Sequence, residues 1–345
     1  MEPVLTKTTA IQLRSPYLIF LGDIEEATYG KTGKGLVHWC PEKVAGQIRL
    51  PGCAVDLGVP DMTIEAAASA GVKSLIIGVA LIGGRLPDHW NAVLKTALAT
   101  GIDIVSGLHT RLADLPELQE IARCSGARLV DVRIPPSDIP IATGLKRPGK
   151  RVLMVGTDCA VGKKYSALAL TRSLSELGVK ATFRATGQTG IMLAGEGIAV
   201  DAVVADFISG AAELVSPAND PDHWDVIEGQ GSLFNPGYAG VSLGLLHGSQ
   251  PDALILCHDV TRKEIDGWPG YPVPSLDECM QQNLQAAKLT NRNVRFAGLS
   301  INASSLPSSE HESYLQAVAS QFSLPCIDPI ASKSPAIAQY LIDNF

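Results

Sequence analysis

The chain has 345 residues, 46% of them apolar and 18% charged, with a formal net charge of −7. At about 150 residues per domain that length suggests two domains, and so high an apolar content excludes a disordered chain. The acidic balance argues against a general nucleic-acid binder, whose affinity comes largely from lysines and arginines neutralising phosphates. Abundant glycine (33) and proline (22) with only 5% aromatics suit an α/β protein with many tight strand-to-helix turns. The longest apolar stretch, Leu75–Gly84, is about ten residues and broken by glycines, whereas a membrane span needs about twenty. Met1-Glu2-Pro3 begins no basic segment of the kind that opens a signal peptide. Seven scattered cysteines without a C-x-x-C pair read as reduced thiols, so a cytoplasmic protein is expected.

Along the first half, β-rich runs at Tyr17–Leu21, Ser74–Val79, Ile102–Val105 and Leu129–Val132 alternate with helical segments at Met62–Ala70, Trp90–Ala99 and Ala113–Cys124. Glycines 71, 101 and 126 stand just past the helices, where a left-handed stop is usual. Strands separated by single helices imply a parallel sheet with right-handed crossovers. The proline-rich stretch from Ile134 to Lys150 reads as a linker, which places the domains at 1–148 and 149–345. The second half restarts with the strand Arg151–Val155, then a glycine-rich turn and a helix carrying Leu170, Leu174 and Leu177. Further strands are predicted at Ala181–Arg184, Ala202–Ala205, Trp224–Ile227, Ala253–Cys257 and Val294–Leu299. Ser275–Glu278 and Ser309–Glu312 read as capping boxes of two late helices. The expected fold is therefore α/β with two parallel-sheet domains.

The chemistry concentrates after the strand at Arg151–Val155. Gly156-Thr157-Asp158-Cys159-Ala160-Val161-Gly162-Lys163 lies between a buried strand and an amphipathic helix, the context of a phosphate-binding loop. Small residues let consecutive N–H groups form a concave anion nest, and the helix N-terminus adds partial positive charge there. Five residues separate the two glycines where the ordinary loop has four. Lys164 follows Lys163 in place of the Ser or Thr that ligates Mg²⁺ in nucleotide hydrolases, and Ser166 is the first aliphatic hydroxyl. Such a loop is expected to hold a phosphate without being specialised for ATP hydrolysis.

Two more loops close predicted strands. Glu228-Gly229-Gln230-Gly231-Ser232 brings a carboxylate to a strand end, as a candidate base or metal ligand. Thr186-Gly187-Gln188-Thr189-Gly190, with Arg184 before it, is suited to hydrogen-bond a substrate and clamp its carboxylate, a surface ion pair being the alternative role of Arg184. Asp206 is expected to close another strand and is the second candidate base. Cys159, His258 and Asp259 lie in or near the same loops. In the first half, Gly30–Gly35 has the look of a phosphate loop without an upstream glycine or a clear following helix. Gly107-Leu108-His109 and Asp131-Val132-Arg133 sit at strand ends.

Taken together, the motifs Gly156–Lys163, Thr186–Gly190 and Glu228–Ser232 resemble the D-glutamate N-acetyltransferase-like family, long described as of unknown function. Lys31-Thr32-x-x-Gly35-Leu36, Gly107-Leu108-His109 and Asp131-Val132-Arg133 are similar to its first domain. The resemblance covers nearly the whole chain. It implies a Rossmann-like domain followed by a P-loop-type domain, and transfer of acetyl from acetyl-CoA to the amino group of D-glutamate or a similar acidic amino acid. The family's loop carries two threonines where this chain has Tyr165-Ser166. The loop spacing and the Glu-Gly-x-Gly strand end also resemble dethiobiotin synthetase-type enzymes, so an ATP/Mg²⁺-dependent ligase or kinase-like enzyme stays open. A non-catalytic sensor of a phosphorylated metabolite is the third possibility. On the first reading, the loop with Lys163 and Lys164 holds the CoA phosphates, and Arg184, Thr186–Gly190, Gly229 and Gln230 bind substrate. Glu228 or Asp206 then takes a proton from the incoming ammonium. A small anionic substrate and a homo-oligomer are expected, with no nucleic-acid or membrane partner and the metal undecided.

Overall fold

The computed structural model describes residues 13–330 and 335–345. They divide into two compact units: the described residues up to Ile134 with Ile191–Ala199, and Pro135–Gly190 with the described residues from Val200 on.

In the first unit, strands β1 (Tyr17–Gly22), β2 (Val44–Arg49), β3 (Ser74–Ile77), β4 (Asp103–Ser106) and β5 (Leu129–Asp131) form one parallel sheet in the order β2-β1-β3-β4-β5. Helices α1 (Lys31–Trp39), α2 (Ile64–Ser69), α3 (Asn91–Ala99) and α4 (Pro116–Ser125) supply the crossovers. β1, β3 and β4 are buried along their whole length, which is why their central residues are apolar. Two elements were not anticipated. β2 is interrupted by Gly46 and Gln47, and α1 contains Gly33 and Gly35, each costing a helix about 1 kcal/mol. Tertiary contact outweighs propensity here: Gly33 N–H donates to the Gly78 carbonyl at 2.8 Å, a close approach that a side chain would obstruct. The Gly30–Gly35 stretch is thus followed by a helix, contrary to the reading from its residues, and Lys31 and Lys34 stand exposed on it.

The second sheet is also wholly parallel. Its strands are β6 (Lys150–Gly156), β7 (Ala181–Arg184), β8 (Trp224–Ile227), β9 (Ala253–Asp259), β10 (Arg295–Asn302) and β11 (Cys326–Ile327), in the order β11-β10-β9-β6-β8-β7. Side chains along β6 alternate between its faces. Val152 and Met154 join Leu170 and Leu174 of α5 (Lys163–Glu176) and Ile337 and Leu341 of α11 (Ala336–Asn344). Leu153 and Val155 join the opposite core, built on α8 (Ala239–Ser249), α9 (Leu276–Lys288) and α10 (Ser308–Phe322). From β6 the chain runs first to one side, through β7 and β8, and then to the other, through β9 to β11. The C-terminal edge of β6 is therefore the place where connections diverge and leave a crevice for a ligand.

Three local expectations change. Ala202–Ala205 is not a strand; after α6 (Gln188–Ala194) the chain makes short 3₁₀ turns at Val200–Ala202 and Ala205–Phe207 and enters α7 (Ile208–Val215). Its short apolar run stays at the surface, with Val204 67% exposed, and Val200 N–H bonds to the Thr186 carbonyl at 3.1 Å. Ser275 and Glu278 form the reciprocal capping box, but α10 starts at Ser308 behind Pro307 and has no side-chain cap. The proline-rich segment is anchored as well: Glu213 accepts from Thr143 N–H at 2.9 Å and Gly144 N–H at 3.0 Å, while Arg147 donates to the Ser216 carbonyl at 2.9 Å.

Asp103 at the start of β4 is completely buried and accepts from the guanidinium groups of Arg14 and Arg128 and from Arg128 N–H at 2.7 Å. Burial alone would raise its proton affinity, yet these bonds hold it below the usual carboxylate range. Asp103→Ala is expected to lower the unfolding free energy by about 2 kcal/mol in urea titrations, because solvent rehydrates the two half-exposed arginines but not the buried N–H.

Candidate functional site

The loop between β6 and α5 has the local geometry that its residues suggest. Ala160 and Gly162 both take left-handed backbone (φ 54° and 98°), which turns the chain tightly into α5. No side chain caps α5, so the first-turn N–H groups, which have no intrahelical acceptor, face the loop. The Lys163 side chain folds back, and Nζ donates to the Asp158 carbonyl at 2.7 Å. Burial lowers its proton affinity. Lys164 is half-buried, with its ammonium 4.9 Å from the centre of the Tyr165 ring. Ser166 points away into the core, donating to the Gly162 carbonyl at 3.0 Å and meeting Ser300 Oγ at 2.7 Å.

Within the loop, Thr157, Asp158 and Val161 are buried and Cys159 is half-buried. Thr157 Oγ1 lies 3.0 Å from His258 Nδ1, and burial depresses the His258 pKa. Asp158 is the anchor: Oδ1 accepts from Cys159 N–H at 2.6 Å and Asn235 Nδ2 at 3.1 Å, and Oδ2 from Arg262 Nη1 at 3.0 Å and Asp266 N–H at 2.8 Å. Its carboxylate is therefore wholly engaged in shaping the loop. Asn235 and Arg262 lay outside the motifs singled out from the residues, since nothing local marks them as partners of a loop some 77 and 104 positions earlier.

Beside this loop sits Glu228, 4% exposed. Its Oε2 accepts from Thr186 N–H and Gly187 N–H, both at 3.0 Å, and its carbonyl accepts from Thr186 Oγ1 at 2.6 Å. Burial raises its pKa to about 7, against the opposing pull of the Lys164 charge and the two N–H donors. Gln230 Nε2 reaches Thr186 Oγ1 at 3.3 Å. The motif glycines follow from crowding: a Cβ on Gly190 would stand 2.2 Å from Glu228 Oε2, and one on Gly229 would stand 1.7 Å from the Met154 carbonyl and 2.8 Å from Lys163 Cδ. Hence Gly229 places Glu228 directly against the phosphate loop. Gln188 Oε1 is buried with no protein partner, as an acceptor awaiting a ligand donor would be. Thr189 is buried as well.

The other candidates are placed differently. Arg184 Nε donates to buried Asp225 at 2.8 Å, so the ion-pair role is the one observed. Asp206 does not close a strand; it lies exposed on the 3₁₀ turn Ala205–Phe207, because the expected strand does not form. In the first unit, Asp131 accepts from Leu112 and Ala113 N–H groups at 2.9 and 3.2 Å, and the His109 ring packs on Gly84. Among the described residues, no three His, Cys, Asp or Glu side chains gather as a metal-ligand set, all seven cysteines are free thiols, and no helix is long and apolar enough to cross a membrane.

A loop of this form and the two glycine-punctuated strand ends beside it agree with what the chain is similar to. The P-loop domain of the family of unknown function DUF1611 matches residues 140–338, and that family's Rossmann-like domain matches residues 48–135. The chain belongs to the DUF1611 family. A relative from Tritonibacter scottomollicae, named D-glutamate N-acetyltransferase, is 49% identical over 92% of this chain and 95% of its own. A second of that name, from Pseudoalteromonas sp, is 42% identical over 93% and 96%. The crystal structure of a DUF1611 family protein from Anabaena variabilis superposes with a TM-score of 0.85 at 33% identity, covering 96% of this chain and 99% of that one. The two parallel-sheet domains are thus a property of the DUF1611 family.

Because the folded Glu228 carboxyl titrates near 7 and an unfolded one near 4.5, the native state binds the extra proton between those values. Stability therefore falls as pH rises through that window and levels off above it, by an amount on the order of 3 kcal/mol. Glu228→Gln is expected to abolish this component, so that its stability relative to wild type grows from pH 5 to pH 7.5 in denaturant titrations.

Proposed function

We propose that this protein transfers an acetyl group from acetyl-CoA to the amino group of an acidic amino acid of the D-glutamate type. The observation that carries the reading is the placement of Glu228, with its pKa near 7, against the uncapped loop Gly156–Lys163 through Gly229. The names of the two relatives, at 42–49% identity over nine-tenths of the chain, support the same reaction class.

When bound, acetyl-CoA supplies a thioester whose carbonyl carbon bonds the substrate nitrogen as the carbon–sulfur bond breaks. The chain's part is binding and proton transfer. The α5 N-terminus, the loop N–H groups, Lys163 and Lys164 hold phosphate oxygens. Thr186, Gly187, Gln188, Thr189, Gly190, Gly229 and Gln230 line the substrate side, and Gln188 Oε1 accepts from its ammonium. Glu228 takes the proton that frees the amine lone pair, since only the neutral amine is a nucleophile, and the departing thiolate is protonated in turn. A base with a pKa near 7 is half-charged at working pH, where donor and acceptor strengths are matched. Arg184 supports the Thr186–Gly190 loop from Asp225 rather than touching substrate. The turn of Ser166 into the core removes the first hydroxyl after the lysines from a metal-ligating role, which weighs against the ATP/Mg²⁺-dependent alternative.

Pure protein incubated with acetyl-CoA and a panel of D- and L-amino acids is expected to release CoA thiol with an acidic D-amino acid. ATP turnover without CoA release would overturn the proposal, as would binding of either nucleotide without turnover. Glu228→Gln is expected to lower kcat at least 100-fold and to remove the enzyme's activity limb near pH 7. Asp206→Asn, exposed on its turn, is expected to stay within about twofold of wild type in the same assay.

A further inference from the structure

Three aromatic side chains lie outside the core on the two segments that Asp158 ties to the phosphate loop. Tyr238 is 49% and Tyr271 53% exposed, and Trp268 is half-buried. The Tyr238 and Trp268 rings meet edge to face at 5.9 Å between centroids. Tyr238 lies against the Glu228–Ser232 strand end: a Cβ on Gly231, itself at φ 63°, would stand 2.5 Å from the Tyr238 carbonyl and 3.2 Å from its Cβ. Trp268 lies over Gly237, where a Cβ would come within 2.8 Å of the indole. Its turn is closed by Trp268 N–H to the Ile265 carbonyl at 2.9 Å and Ile265 N–H to the Tyr271 carbonyl at 2.8 Å.

Both aromatic-bearing segments are tied to the loop by the same carboxylate. Asp158 accepts from Asn235, whose Oδ1 in turn accepts from Gly237 and Tyr238 N–H groups at 3.0 and 3.2 Å. Asp158 also accepts from Arg262 and from Asp266 N–H, two residues before Trp268. An anion nest and a pair of aromatic rings are thus held in one fixed arrangement. A ligand with phosphates at one end and a flat heteroaromatic ring at the other fits both, and the ordering cost of the rings is met before it binds.

We propose that Tyr238 and Trp268, set at right angles, form a corner for the adenine ring of the co-substrate whose phosphates the Gly156–Lys163 loop holds, one ring stacking on its face and the other meeting its edge. The inference rests on the reading that this loop binds CoA. It assigns the recognition of the nucleotide end of CoA to two residues outside every motif of the loop.

Isothermal titration of the whole protein with CoA and with 4′-phosphopantetheine, which lacks the nucleotide, separates the possibilities. Tyr238→Ala and Trp268→Ala are each expected to weaken CoA about 5- to 100-fold and to leave 4′-phosphopantetheine within twofold, with Tyr238→Phe close to wild type. Alanine variants that bind CoA as tightly as wild type would overturn the stacking role and leave the loop reading standing. Equal weakening of both ligands would also overturn it, by showing that the rings act only through the loop's shape. A wild-type protein that binds no CoA would remove the loop reading and this inference with it.

Discussion

The site depends on one buried carboxylate. Asp158 sits inside the phosphate loop, removed from water, and meets four donors from three separate parts of the chain. A desolvated charge is costly unless its lone pairs are filled, so the loop, the Asn235 turn and the Arg262–Asp266 segment are held to one arrangement. That constraint commits the acid to the scaffold of the loop. The acid within the motif is thereby neutralised from behind, by the Arg262 guanidinium at 3.0 Å.

Glu228 illustrates the opposite use of burial. Two N–H donors and the Lys164 charge favour its ionised form, yet desolvation outweighs them and brings the group near neutrality. The close approaches at Gly190 and Gly229 maintain that environment, because a methyl group at either position would displace the carboxyl or the strand beneath it. The acid is therefore tuned by packing as much as by charge, and its proton affinity is a property of the strand end rather than of the side chain.

Much of the fold was legible in the residues. The buried strands announce themselves through the apolar runs Tyr17–Leu21 and Val152–Val155, and the loop Gly156–Lys163 is recognisable from its spacing and its place between strand and helix. What escaped notice were elements whose stability is not local. β2 and α1 carry residues of low propensity and form because neighbours accept them. Ala202–Ala205 shows the converse, with strand-like residues but no place in the sheet; Asp206 therefore lost its expected position. Arg184 was equally ambiguous, since a strand-end arginine suits a ligand or a surface ion pair, and only the fold supplied a buried partner, Asp225.

The two α/β halves, the phosphate loop and the strand-end motifs can be read along the chain, because period, glycine placement and turn chemistry are encoded within a few residues of one another. Which acid is buried beside the loop, which one holds it in shape and which aromatic rings lie on the segments tied to it are settled by folding. Those outcomes follow from contacts between residues far apart in the chain, such as Glu228 with Thr186, 42 positions away, and Asp158 with Asn235 and Arg262, 77 and 104 positions away. Their energies come from shared desolvation and close packing, which no local pattern of residues records.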